Sequence, residues 1–190
     1  LFWYMFPALI GPGAFSTAFF FQQVHFSEVK GWEHILLVSF FPLFTASSVL
    51  MMLFSGWAID RYGTSKLISF HQIPIMVAFI CFGFCDDIAL FVLGLIFLSM
   101  TAGATSTLPN AFWAEFYGTA NIGSIKALAA AIMVFGSALG PGLTGMLIDK
   151  GVNIEIQYII VSGFFCISSL TMFIGVRKYE KDLNRDCIIV

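Results

Sequence analysis

Charged side chains punctuate this chain into six long runs that carry none: residues 1–27, 34–59, 67–85, 88–114, 127–148 and 156–176. Each run is long enough for a helix across a hydrocarbon core, which takes about 20 residues. The runs are continuously apolar and do not alternate, which excludes a membrane β-barrel. Lipid offers backbone polar groups no partner, so the runs must satisfy them internally, as helices. Composition agrees: 11% of residues are charged, where a soluble domain carries about 25%. The sequence therefore predicts an all-α membrane protein with six transmembrane helices, at about 1–23, 34–57, 66–85, 88–114, 122–148 and 155–176. They form one bundle over residues 1–176, followed by a tail over 177–190.

Lys and Arg set the expected orientation. Lys30 and Lys150 lie at one end of the bundle; Arg61, Lys66, Lys126, Arg177, Lys178, Lys181 and Arg185 lie at the other. The positive-inside rule places the second group, and both ends of the segment, in the cytoplasm of a cell bounded by this membrane. A net charge of −2 gives no footprint for nucleic acid. Cys81, Cys85, Cys166 and Cys187 show no metal-ligand spacing, and Cys81 and Cys85 read as small apolar residues sharing a helix face. No fixed helical spacing joins His25 to His34, so no metal site and no cofactor are expected. The first residue is Leu and no signal peptide is recognisable, so the chain reads as a piece of a longer protein. Cys187-Ile-Ile-Val190 matches a prenylation box by letter only.

Polar and helix-breaking residues within the runs mark candidate sites. Gly11-Pro12-Gly13 predicts a kink or unwinding in the first helix, either lining a cavity or serving packing alone. Ser16 and Thr17 follow it, with Gln22 at its outer end. Thr45 is the candidate on the second helix, where Ser47 and Ser48 read equally as packing hydroxyls. His71, near the start of the third helix, reads as an interfacial hydrogen-bonded His, with a proton relay as the sharper alternative. Ser106, Asn110 and Trp113 share a face at helical spacing and suit the wall of a water-filled pathway. Trp in an aromatic belt, with Asn bonding a neighbour, is the plain alternative. Gly136, Gly140, Gly142 and Gly145 make the fifth helix a packing helix, with a second break at Pro141. The sixth helix has few polar residues and is expected to face lipid.

A short repeat divides the chain. Gly56-Trp-Ala-Ile-Asp60-Arg61 closes the second helix, and Gly145-Met-Leu-Ile-Asp149-Lys150, 89 positions later, closes the fifth. Ser48-Val-Leu50 and Ser137-Ala-Leu139 align at the same offset. Three spans separate the copies, so they end on opposite membrane faces, as an inverted three-plus-three repeat requires.

These residues resemble the major facilitator superfamily. Gly56-x-x-x-Asp60-Arg61-x-Gly63-x-x-Lys66 looks like its signature loop between the second and third helices of a six-helix half. Gly136 to Gly145 looks like its Gly-Pro helix, and 114–126 like the fourth-to-fifth helix connection of a C-terminal half. Thr64 and Ser65 stand where the family often has basic residues, which leaves Arg61 and Lys66 to carry the loop's charge. The superfamily has two such halves, so the resemblance implies that an N-terminal six-helix half of the same polypeptide is missing. It also implies alternating access about a midplane site, with Asp60 latching to a helix N-terminus of the other half.

The function expected is secondary active transport of a small solute through a lipid bilayer. The resemblance over 114–126 points to an organic anion or monocarboxylate. The alternative is a six-helix scaffold or assembly subunit that transports nothing. No charged side chain falls at mid-depth of a run, so an anion-binding Arg or Lys is expected in the other half. No nucleophile and base share a depth, so an intramembrane enzyme is not expected.

Overall fold

A computed structural model describes residues 2–118 and 120–186, with side chains as far as Tyr179; Cys187-Ile-Ile-Val190 lies outside the described residues. Every element there is a helix: α1 (Phe2–Phe21), α2 (Gln23–Lys30), α3 (His34–Val38), α4 (Phe41–Tyr62), α5 (Thr64–Phe70), α6 (Ile73–Gly83), α7 (Ile88–Thr105), α8 (Leu108–Tyr117), α9 (Ile122–Asp149) and α10 (Ile154–Asp186). They make six apolar spans: Phe2–Phe21, His34–Tyr62, Thr64–Gly83, Ile88–Tyr117, Ile122–Asp149 and Ile154–Tyr179. The two long helices α9 and α10 each make one span, α1 makes the first, and the middle three spans are each built from two helices in series.

Proline decides where those three spans divide. Pro42, Pro74 and Pro109 each stand at the first or second position of a new helix, namely α4, α6 and α8. An N–H missing there costs nothing, because the first turn has no carbonyl to give it. The unwinding expected at Gly11-Pro12-Gly13 is not present. Helix α1 runs unbroken through Pro7 and Pro12, and α9 runs unbroken through Pro141.

The glycines beside these prolines serve close contact instead. A Cβ at Gly13 would come within 2.5 Å of Met133 O, and one at Gly136 within 2.6 Å of Ile10 O. A Cβ at Gly140 would overlap Ala14 O. Helices α1 and α9 thereby touch backbone to backbone, in the small-residue mode of membrane helices. Gly142 and Gly145 meet nothing within 4 Å. They stand on the outward side of α9 and do not pack within the described chain.

A second crossing copies the first. At Gly103 of α7 a Cβ would overlap Ser48 O of α4 and lie 3.1 Å from Met51 Cβ. Moving Ala14 forward by the repeat's 89 positions gives Gly103; moving Gly140 back by the same number gives Met51. The two closest crossings are thus equivalent pairs, with the small residue on opposite partners. The principal span pairings are first with fifth, second with fourth, third with sixth, third with fourth, and first with sixth. This scheme maps onto itself when the first three spans exchange, in order, with the last three.

The sixth span corrects an expectation. It does not merely face lipid, because Tyr158, Val161, Phe165, Met172 and Val176 of α10 are buried against α1, α5 and α6. Ser162 Oγ donates to Ile159 O at 2.7 Å within its own helix. Only the opposite face, with Ile160, Ile167 and Leu170, is exposed.

The interior differs at the two ends. Away from the basic end, Phe19, Phe26, Phe79, Phe82, Phe91, Tyr158 and Phe165 form one aromatic cluster. Phe19 and Phe82 stack at 4.3 Å between centroids, and Phe79 and Phe165 at 5.7 Å. Each such pair adds about 0.5–1.5 kcal/mol beyond its area term. Gln22 Nε2 donates to Thr144 Oγ1, and Lys30 pairs with Glu155, tying α1 and α2 across this end.

Candidate transport cavity

The basic end is hollow. Its interior residues are fewer and more flexible, with Met5, Leu9, Met172 and Trp113 among them. A cavity of about 170 Å³ lies there, bordered by α1, α5, the α5–α6 break, α7, α8, α9 and α10. Its polar lining is His71, Thr105, Asn110, Trp113 and Lys126; Met5, Met133 and Met172 supply much of the rest. A second cavity, of about 140 Å³, lies between the second, third and fourth spans and shares His71 with the first. Its other polar residue, Ser55, is already engaged, donating to Met52 O at 2.9 Å and lying 2.5 Å from Thr107 Oγ1.

The two proline-opened breaks bring His71 and Trp113 inside, with Thr105 half-buried, while Asn110 and Lys126 stay exposed at the cavity's rim. In the third span the break falls at His71 and Gln72, both buried well within Thr64–Gly83. Gln72 Nε2 donates to Ala8 O on α1 at 2.8 Å. His71 Nε2 lies 3.1 Å from Thr105 Oγ1, on the last turn of α7. Thr105 donates its single hydroxyl proton to Thr101 O at 2.7 Å. Toward His71 it must therefore accept, which assigns the imidazole proton to Nε2 from the network. His71 is a buried, hydrogen-bonded element of the bundle. Two spans had to break at one depth for it to meet Thr105, and a single-run reading contains neither break.

Of the candidate polar residues, the structure brings Asn110 and Trp113 together on the first cavity. Asn110 Nδ2 also donates to Ser106 O at 3.0 Å, covering the carbonyl freed at the α7–α8 break. Ser106 does not share their cavity: the break intervenes, and its exposed hydroxyl reaches Ala102 O at 3.4 Å. Ser16 and Thr17 are half-buried on α1 and border neither cavity. Gln22 is buried at the far end, bonded to Thr144. Thr45 is exposed on α4, its hydroxyl turned back to Phe41 O at 3.1 Å, because nearly all of that helix points outward. Lys126 went unnoticed as a lining residue. It follows a polar connection in sequence, and only the crossing of α8 and α9 turns it toward Trp113.

The signature stretch sits at the same end. Asp60, Arg61 and Lys66 are exposed, and a Cβ at Gly56 would meet open space. Arg61 lies 5.8 Å from the ring of Trp57 and 5.9 Å from that of Tyr62, a cation–π pairing with its own helix. Gly63 has φ 79° and Gly118 has φ 69°, a region that L side chains avoid. Each ends a span with the tripeptide Tyr-Gly-Thr. Buried Thr64 donates to Glu115 Oε2 at 2.5 Å, joining the two connections.

No cluster of three or more His, Cys, Asp or Glu that could hold a metal occurs among the described residues. No curated protein and no solved structure matches the chain. The Major Facilitator Superfamily matches it over residues 1–141 and again over residues 36–186. Six apolar spans, a pairing scheme that repeats in halves and this match together make the chain a member of the Major Facilitator Superfamily, a family of membrane transporters.

Proposed function

We propose that this chain is the C-terminal six-helix half of a secondary transporter that carries a small organic anion, of monocarboxylate size, by alternating access. The observation that carries the reading is Lys126, an exposed cation at the rim of a small cavity that also presents Asn110 and Trp113. A volume of about 170 Å³ matches five or six waters at roughly 30 Å³ each, which suits a solute of a few carbons. The basic end faces the cytoplasm of a cytoplasmic or plasma membrane by the positive-inside rule. The outward sides of α4 and α9, with Gly56, Gly142 and Gly145, are where a second half would sit, and exposed Asp60 would latch to a helix N-terminus there.

Uptake of labelled acetate, butyrate and a neutral polyol into cells producing the native protein tests this. Carboxylates should enter and the polyol should not. Lys126→Gln should lower carboxylate uptake about tenfold, the effect of losing one ion-assisted hydrogen bond of roughly 1.5 kcal/mol or more, and Lys126→Arg should retain most of it. Unchanged uptake in Lys126→Gln would overturn the anion assignment.

A further inference from the structure

Seven buried side-chain polar atoms have no hydrogen-bond partner among the described residues, and His71 Nδ1 is one of them. His71 alone of those residues borders the cavity that holds Lys126. The ring is held from its other edge: Nε2–H points at Thr105 Oγ1, whose own proton is committed to Thr101 O. Nδ1 is thereby left as a bare lone pair, an acceptor without a donor. Nδ1 itself is closed off from the cavity that the ring borders, and buried acceptors are almost always satisfied, so it calls for a donor that reaches it once a neighbouring side chain moves aside. We propose that His71 Nδ1 accepts a hydrogen bond from a hydroxyl on the solute, making this a site for hydroxy-carboxylates in preference to plain carboxylates. The inference rests on the anion reading above, with Lys126 taking the carboxylate.

The cavity can admit such a contact. Met5, Met133 and Met172 line it, and their unbranched thioethers repack more readily than branched side chains. The second cavity is the weaker host, because Ser55, its only other polar group, is already bonded and nothing there takes a carboxylate. Thr105 has a defined part as a positioning residue: its hydroxyl fixes which nitrogen is bare. Without it both tautomers become accessible, and the acceptor is no longer guaranteed.

Butyrate and its α- and β-hydroxy derivatives make the test, since they differ by one hydroxyl on one carbon frame. Their binding is measured by calorimetry on the native protein in lipid nanodiscs, alongside ¹⁵N spectra of the histidine rings. At least one hydroxy derivative should bind about tenfold more tightly than butyrate, the size of one well-made buried hydrogen bond, and should move the His71 Nδ1 resonance where butyrate does not. Thr105→Val, which keeps the imidazole and most of the packing, should shrink that ratio; His71→Phe should erase it. Equal binding of all three, or an Nδ1 signal that no hydroxy acid moves, overturns the His71 assignment and leaves the anion reading standing. Absence of binding by any of the three, with Lys126→Gln indistinguishable from wild type, overturns both.

Discussion

Gly140 and Gly163 are both helical glycines, and the structure gives them opposite consequences. A Cβ at Gly140 would overlap the carbonyl of Ala14, a backbone atom that cannot rotate away. One at Gly163, on the outer side of α10, meets nothing within 4 Å. Gly140→Ala should therefore destabilise by about 1–3 kcal/mol, as overpacking does. Gly163→Ala should be neutral or stabilise by up to roughly 1 kcal/mol through the lost glycine entropy. Thermal unfolding in detergent checks the pair, and equal effects would mean that the α1–α9 crossing is not close. The spacing of Gly136 and Gly140 is readable in the sequence because it repeats within one helix. His71 and Lys126 as cavity residues were not readable in the same way. Their roles depend on which spans cross near them, and a single run of residues carries no record of its neighbours.

At the scale of the element, charge punctuation located the six spans because desolvating a charge costs so much that few enter a span. Proline was harder to read. Pro12 and Pro141, flanked by glycines, stay inside unbroken helices, while Pro42, Pro74 and Pro109 open new ones. The letters alone do not distinguish a proline at the start of a helix from one in its interior; that depends on whether the preceding turn keeps its own carbonyl bonds. The break before Pro109 has a use: it puts Trp113 on the cavity wall and Asn110 at its rim, and leaves Ser106 outside. Pro109→Ala should favour a continuous α7–α8 helix and rotate those two residues away from the cavity. Carboxylate uptake should then fall about tenfold or more, the scale set by a positioning error of an ångström or so, while helical content by circular dichroism holds. Full uptake in this variant would show that the break has no part in the cavity.

For the whole molecule, the prediction concerns sidedness. In a Cys166→Ser, Cys187→Ser background, Asn153→Cys should react with a membrane-impermeant maleimide in intact cells, and Ser65→Cys only after permeabilisation. The reverse pattern would invert the proposed orientation. Half of the architecture shows in the sequence as the 89-residue offset between Gly56 and Gly145, yet the matching crossings at Gly140 and Gly103 do not, because the small residue has moved to the other helix of the pair. The clustered rings of Phe19, Phe82 and Phe91 also bear on leakage of ions. A membrane at 100 mV puts about 2.3 kcal/mol on every elementary charge that crosses it, so a continuous file of water through the bundle would run down the cell's voltage. Rings in contact leave no room for that file. The hollow end can fill and empty with solvent without opening a continuous water path through these rings.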